Sequence, residues 1–490
     1  MAFDQLNPAA RIVALPLLLS LLLPIGSQAV PVHAPLLAAS ATPANAREMT
    51  LSEAIELAVA RHPALQQRKA QLQGAEARIG AAEAPYYPQV GVDFGSALIK
   101  PSHQSDPGGL TLRASQLLYD FGKTDNDVQA AKMIGESAGQ LVTETRLTIA
   151  ESVAVLYNDR LRFVQLIAVL EKNYDMLQQI REVSALRADA GLNSRSDIQL
   201  ADVRMSDVHA TRASYQAQLR SVEARLATLL GVRPAGFAPL PAGLVERALQ
   251  RNEVNWDGMP QIRAAGANVQ AAQARVKSVK AGLLPSVHLQ ANSRGLNPLS
   301  GGRGGPDNSV MLVLRSDNIF EGGAGQARVS AALAEVAASE AEVENLKFSI
   351  EQNFNDLRSD LDGALERAGI YGQQSQQAVL ERDTYREEYT LGKRTLNNLL
   401  DAQRNIMNAE TQQVSNQFDA VRSAIKLAKL TQAEPDYATP FMHATDAAPQ
   451  KILSKQPKPH RSGFETIVET YMQPGDDPAT FNQRFLKEEI

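Results

Sequence analysis

Apolar residues recur at every seventh position through two long segments of the chain. The first series is Val142, Ile149, Leu156, Phe163, Leu170 and Leu177, and the second is Val329, Val336, Val343, Ile350 and Leu357. A strict seven-residue repeat is typical of a coiled-coil seam. No proline falls between 107 and 233 or between 307 and 434. Each segment therefore predicts one helix of roughly 67 residues, about 100 Å long at 1.5 Å per residue.

The two long helices are predicted to end at Gly191 and Gly392, which lie 201 residues apart. A short polar stretch follows each glycine, and shorter helices are then predicted over 197–230 and 398–431. Ser, Thr, Asp and Asn are the residue types that accept the free N–H groups at the start of a helix. Those at the two restarts are Ser196, Asp197, Thr395 and Asn398.

Before each long helix, apolar and polar residues alternate with a period of two, which predicts strands. Val90 and Val92 alternate with glycine and aspartate, and Val287 and Leu289 alternate with histidine and glutamine. The predicted strands are 88–99 and 109–119 in one hairpin and 285–293 and 309–320 in the other. Loops rich in Gly and Pro connect them, and helices of about 23 residues precede them at roughly 63–85 and 260–282.

The chain is an internal duplication. Matching positions lie 197 residues apart up to the hairpins, as for Pro63 with Pro260 and Pro88 with Pro285. Beyond them the separation is 201, because the second copy has four more residues in its hairpin loop. We therefore divide the chain into a first repeat at 49–231, a connection at 232–258 and a second repeat at 259–432. The hairpins lie at 88–119 and 285–320, and a tail without counterpart occupies 433–490.

The N-terminus has the features of a secretory signal peptide. Arg11 precedes a mainly apolar run of 14 residues, 12–25, and small residues follow at 27–29. A membrane-spanning helix needs about 20 apolar residues, so we predict a signal peptide over 1–29, with a second cleavage site as late as 46. No later segment is apolar enough to span a bilayer as a helix. The exported chain can therefore enter a membrane only through its strands.

Four strands cannot close a barrel, and lipid does not tolerate unpaired strand edges. Two chains would supply eight strands, whose interior fills with side chains. Three chains would supply twelve and leave a lumen. The strands therefore favour a homotrimer in contact with outer-membrane lipid.

Composition excludes several other classes of protein. The chain has no cysteine, which excludes disulfides, cysteine metal sites, a cysteine nucleophile and a lipid-bearing N-terminal cysteine. Net charge is −5 with both signs mixed, so no basic face for nucleic acid stands out. The seven histidines have no metal-ligand spacing, and no nucleophile–histidine–acid context appears. We expect no enzyme activity, no catalytic residues, no metal and no cofactor. The alternative to a membrane channel is an exported coiled-coil scaffold or adhesin without a pore.

The order helix, hairpin, long helix, turn, helix, given twice, resembles the TolC family of outer-membrane efflux and type I secretion channels. The resemblance covers about 49–432. Local patterns that match are LSEAIELAVARHP at 51–63, QLLYDFG at 116–122 and YTLGKRTLNNLLDAQ at 389–403. It implies a mixed, mainly α fold: a trimeric 12-stranded transmembrane β-barrel continued by a periplasmic α-helical coiled-coil barrel. The connection 232–258 would join an equatorial belt, and the tail 433–490 would be periplasmic and partly disordered.

The resemblance also implies a function. Family members are exit ducts of tripartite systems for drug efflux and type I protein secretion. Their partners are a periplasmic membrane-fusion (adaptor) protein and an inner-membrane transporter, either an ABC or a proton-driven one. Such a duct lies in the bacterial outer membrane with a large periplasmic portion. The duct itself does not distinguish protein cargo from drug cargo.

Six residues near the glycine turns match positions that form the gate and the narrow mouth in the TolC family. Tyr389 and Arg394 match the gating tyrosine and arginine of the family, and Ser196 and Asp197 match their partners on the other hairpin. The alternative is that Ser196 and Asp197 only cap a helix and that Arg394 is solvated. Asp401 matches one of two aspartate rings inside the mouth, and Asn398 stands at the other. Three Asp401 side chains would attract cations, and Asn398 predicts weaker cation selectivity and weaker block by multivalent cations than in relatives with both rings.

Overall fold

The computed structural model describes residues 48–95, 109–295, 307–316 and 321–431. The predicted signal peptide, the tail 433–490 and the strand residues 96–99 and 317–320 lie outside these ranges. The elements, in chain order, are α1 Leu51–Arg61, α2 Pro63–Glu83, β1 Gln89–Gly95, β2 Gly109–Tyr119, α3 Lys123–Asp189, α4 Arg195–Leu230, α5 Leu244–Gln250, α6 Pro260–Ala281, β3 Ser286–Gly295, β4 Asp307–Arg315, α7 Ala324–Thr390 and α8 Leu396–Thr431.

The predicted duplication is confirmed by the lengths of the helices. Helices α3 and α7 each have 67 residues, and α4 and α8 each have 36. Both pairs start and end 201 residues apart, which is the separation read from the sequence. Helix α4 starts at Arg195, two residues earlier than predicted, because Ser194 is the capping residue and its Oγ accepts the N–H of Ser196 at 3.2 Å.

The four strands form one antiparallel sheet in the order β1-β2-β3-β4. The first repeat joins the second through β2 and β3, with Ala114 opposite Ala291. Within the described chain, β1 and β4 are edge strands, each with one side that pairs with no other strand.

The register places apolar and polar side chains on opposite faces of this sheet. Val92 is opposite Leu112 and Leu289 is opposite Leu312, so these side chains share a face. Seven large apolar side chains on that face are exposed, from 42% for Leu289 to 73% for Val310. They are Val90, Val92, Leu112, Leu289, Val310, Leu312 and Leu314. The other face is mainly polar but also carries Leu117, Met311 and Val313. Asp93 and Arg113 form an ion pair on it at 3.6 Å.

A hydrophobic core surrounds the middle of α3, where Tyr157 is fully buried. The Tyr157 hydroxyl donates to the carbonyl of Met49 at 2.9 Å and also bonds the carbonyl of Ala238. Its ring meets Phe237 edge-on at 5.2 Å. Helix α1 and the connection after α4 are therefore fastened to α3 halfway along its length. Burial raises the pKa of the Tyr157 hydroxyl to about 12, so it stays protonated as a donor at neutral pH.

Helix α3 also packs along α8, which brings the two repeats together over most of their length. Among the residues that the structure describes, none of the helices has both the length and the apolar character needed to span a membrane.

Candidate functional site

The two turns at the far end of the long helices have the same backbone hydrogen bonds. Gly191 donates to the carbonyl three residues earlier at 2.9 Å, and Leu192 donates to the carbonyl five residues earlier at 2.8 Å. Gly392 and Lys393 repeat these bonds at 3.0 and 2.8 Å. Both glycines are left-handed, with φ of 74° and 73°. This is the Schellman ending of a helix, in which a glycine avoids the strain that a Cβ would introduce.

Tyr389, at the end of α7, connects the two hairpins. Its side chain is only 2% exposed. The hydroxyl donates to Oγ of Ser184 on α3 at 3.1 Å and accepts from Nδ2 of Asn193 in the first turn at 2.6 Å. The hairpin α7–α8 is thus fastened to the hairpin α3–α4 by a buried hydroxyl with both of its bonding roles used.

Asn193 is the centre of this contact. Its amide uses its second N–H to reach Oδ2 of Asp197 at 2.9 Å, and its Oδ1 accepts from Nε of Arg187 at 3.2 Å. Arg187 also donates to the carbonyl of Thr390 at 2.7 Å and lies 5.0 Å from the centre of the Tyr389 ring. Tyr389 and Asp197, both predicted gate residues, are therefore brought together through Asn193 and not in direct contact.

Arg394 has its partners within its own hairpin. Its Nε donates to Oε2 of Glu388 at 2.7 Å, and its guanidinium lies 3.9 Å from the centre of the Tyr385 ring. The hydrogen bond to Glu388 raises the pKa of Arg394, so its charge persists at every physiological pH. The Schellman turn folds the chain back over the last turn of α7, which explains this pairing. A bond from Arg394 to Asp197 or Ser196 is not formed among the described residues, and Ser196 bonds Ser194 at 2.9 Å within the helix cap.

The two predicted pore residues lie at the start of α8. Asn398 accepts from the hydroxyl of Thr395. Asp401 accepts from Nδ2 of Asn397 at 3.2 Å and forms ion pairs with Arg404 at 3.2 Å and with Arg204 of α4 at 3.7 Å. The ion pair with Arg204 is a further contact between the hairpins.

A buried polar network joins the hairpins next to this level, since Gln403 is only two residues beyond Asp401 on α8. Gln403 donates to Oδ1 of Asn173 on α3 at 2.6 Å, and the two side chains are 3% and 1% exposed. Asn173 in turn donates to Oε2 of Glu410 at 2.8 Å, and Lys172 donates to the other oxygen of that carboxylate at 2.7 Å. Buried polar groups are costly unless they are paired, so this network favours one fixed arrangement of α3 against α8.

Sequence reasoning missed Ser184, Asn193, Arg187 and Asn173. A signal was present for two of them. Ser184 continues the seven-residue series one step beyond Leu177, and Asn173 falls three residues after Leu170, at the second seam position. Polar residues at seam positions of a coiled coil fix register at a cost in stability, and for that reason they mark specific contacts.

Comparison with known proteins shows the family. The family described as outer membrane efflux protein matches residues 54–232 and 244–432, one match for each repeat. The chain belongs to this family. The predicted resemblance to TolC-like channels is therefore confirmed, as are the outer-membrane localisation and the assignment to transport instead of enzyme catalysis.

Individual relatives agree with the family assignment. The outer membrane efflux protein BepC of Brucella suis is 24% identical over 388 residues, which cover 78% of this chain and 85% of BepC. Protein CyaE of Bordetella pertussis is 26% identical over 333 residues, 64% of this chain and 70% of CyaE. The crystal structure of the outer membrane protein VceC from Vibrio cholerae superposes with a TM-score of 0.67 at 22% identity, over 78% of this chain and 95% of VceC. The similarity to VceC shows a shared fold.

Proposed function

We propose that three copies of the chain form the outer-membrane exit duct of a tripartite export system. The sheet carries this proposal. One of its faces is apolar and exposed, the other is mainly polar, and β1 and β4 each leave one edge unpaired in the described chain. In lipid such edges must be paired, and β1 of one copy next to β4 of another would pair them. Three copies would close a twelve-stranded barrel with the apolar face toward lipid and the polar face toward a lumen.

The helices would continue this barrel through the periplasm. Helices α3 and α7 each have 67 residues, so each spans about 100 Å. The strands are at one end of these helices, and the glycine turns are at the other. The turns would thus surround the periplasmic mouth, where an adaptor protein and an inner-membrane ABC or proton-driven transporter would dock.

The mouth is closed in our proposal by contacts between the two hairpins. Tyr389, Asn193 and Asp197 form the chain of hydrogen bonds that supports it, and Arg187 adds a bond from α3 to the last carbonyl of α7. Arg394 would support the gate through its contacts with Glu388 and with the Tyr385 ring. These contacts would order the turn after α7, on which Arg394 lies. Opening would then require the hairpin α7–α8 to separate from α3–α4.

The cargo would be protein, by type I secretion, small molecules, by efflux, or both. Small-molecule efflux is supported by the family description and by the name of BepC, an outer membrane efflux protein. Type I secretion is supported by the resemblance to the TolC family, whose ducts serve both routes. No residue of the duct needs to perform chemistry on either cargo, since the transporter supplies the energy.

Planar-bilayer conductance of the purified protein tests this function, with the wild type beside Arg394→Ser. A small wild-type conductance that rises in the variant would support both the pore and the gate. If the protein conducts and Arg394→Ser leaves the conductance unchanged, the proposed channel stands and a role of Arg394 in closing it is excluded. Folded protein that conducts in neither form would favour the exported scaffold or adhesin.

A further inference from the structure

Two arginines lie close enough to Asp401, the residue expected to line the mouth, to compensate its negative charge. Asp401 Oδ1 lies 3.2 Å from Arg404 and 3.7 Å from Arg204. Arg204 also lies 3.8 Å from Asp207 on its own helix. These four side chains, which we call the mouth cluster, come from α4 and α8 and have a net charge of zero in each chain.

All four charges of the mouth cluster are specific to one repeat. The position 201 residues from each of them carries no charge. The corresponding residues are Leu200 for Asp401, Val203 for Arg404, Asn405 for Arg204 and Asn408 for Asp207. The cluster is therefore not repeated in the second copy of the scaffold, although its charges balance within one chain.

Arg204 is held in the cluster by charge more than by hydrogen bonds. Its side chain is 26% exposed, and its buried Nε has no hydrogen-bond partner among the described atoms. Both of its carboxylate contacts are longer than 3.5 Å, beyond hydrogen-bond length. An arginine that only stabilised the helix pair would be expected to use its donors, whereas this one places its charge between two carboxylates.

We propose that Arg204 and Arg404 determine the charge selectivity of the mouth by cancelling Asp401, so that the duct admits anionic cargo as readily as cationic cargo. This inference rests on the proposed function, in which Asp401 lies at the mouth of a pore. Opposite charges within 4 Å of one another produce little field at the distance of a passing solute, and salt screens the remainder within about 8 Å. Three bare Asp401 carboxylates would instead attract cations and repel acidic cargo.

The test measures the reversal potential in planar bilayers under a KCl gradient. The double variant Arg204→Gln/Arg404→Gln uncovers Asp401 and Asp207, and Asp401→Asn leaves the mouth cluster with one net positive charge in each chain. We expect the wild type to discriminate little between K⁺ and Cl⁻. The double variant removes two positive charges from each chain and should raise the cation-over-anion permeability ratio at least about fivefold, the factor for one unit charge acting over about 4 Å in water. Asp401→Asn should shift the ratio toward anions.

Arg220→Gln is the matched control. Arg220 is exposed on the same helix, about 24 Å from Arg204, and its removal should leave the ratio unchanged. A trivalent cation, hexaamminecobalt(III), supplies a second readout, since it should block the double variant at lower concentration than it blocks the wild type.

The outcomes separate this inference from the proposed function. A double variant that conducts with the wild-type ratio overturns the inference and retains the pore. If the double variant fails to insert, Asp401→Asn decides alone: a shift toward anions supports the inference, and an unchanged ratio overturns it. If the folded wild type does not conduct at all, the proposed duct is wrong, and the selectivity inference fails with it.

Discussion

The two hairpin tips have the same backbone and different side chains. Their turns share glycine φ angles within one degree and repeat each hydrogen bond 201 residues apart. Yet Tyr389 corresponds to Ala188, and Arg187 corresponds to Glu388. The bonds that join the hairpins use these differing residues. The duplicated backbone thus provides two equivalent turns, and the side chains that differ between the copies provide the contacts between them.

The same division holds along the pair α3 and α8. Asn173 corresponds to Gln374, which is exposed, whereas Asn173 is buried in the polar network with Gln403. The helix lengths and the turns therefore follow the repeat, while the position of one hairpin against the other depends on unshared polar residues. Variants at matched positions can test this asymmetry.

The largest effect is expected from Asn173→Leu. Leucine removes the partner of Gln403 and of Glu410 and leaves buried polar atoms unpaired, which should destabilise the protein by about 2–3 kcal/mol. Gln374→Leu, at the corresponding exposed position of α7, should change stability by less than about 0.5 kcal/mol. Thermal midpoints of the helical circular dichroism signal measure both. Equal losses in the two variants would contradict the asymmetry.

A somewhat smaller effect is expected from Lys429→Met. Lys429 lies 3.0 Å from Glu144 and 3.2 Å from Glu151, and it corresponds to the exposed Thr228 of α4. Loss of these charge-assisted bonds between α8 and α3 should destabilise the protein by about 2 kcal/mol at pH 7. Thr228→Val, the control, should have little effect.

The stabilisation by Lys429 should depend on pH. Burial lowers the pKa of Lys429, but the two carboxylates outweigh it, so that the pKa is raised above 10.5. A raised pKa means that the folded state binds the proton more tightly than the unfolded state. The stabilisation is therefore complete below pH 10.5 and is lost as pH rises through the raised pKa. The thermal midpoint of the wild type should fall more steeply above pH 10.5 than that of Lys429→Met, and parallel curves would contradict the account.

Gly191→Ala and Gly392→Ala should each cost about 1 kcal/mol, because each places a Cβ on a left-handed residue. A Cβ at Gly191 meets nothing within 4 Å, and one at Gly392 meets only Arg187 at 3.8 Å, so backbone strain is the common cause. Matching thermal midpoints for the two variants would support equivalent turns. A difference of more than about 1 kcal/mol between them would show that the turns are not equivalent.

The sequence predicted the scaffold better than the site. The seven-residue series and the two glycines gave the long helices and the turns, since each depends on local periodicity or on a single left-handed residue. The partners of Tyr389 depend on how the hairpins lie against each other, and its expected link to Asp197 runs through Asn193. Arg394 pairs with Glu388 of its own hairpin instead of with Asp197 or Ser196, because the turn folds back over the last turn of α7.

The decisive measurement compares Tyr389→Phe with Tyr385→Phe by single-channel conductance. The tyrosines are one helical turn apart on α7, and each substitution removes one hydroxyl. The Tyr389 hydroxyl bonds Ser184 and Asn193 on the other hairpin, whereas the Tyr385 hydroxyl bonds Glu381 on its own helix at 2.7 Å. Each hydrogen bond is worth about 1 kcal/mol, so the loss of both in Tyr389→Phe should raise the open probability about thirtyfold, and Tyr385→Phe should leave it unchanged. Equal behaviour of the two variants would contradict a gate held by contacts between the hairpins.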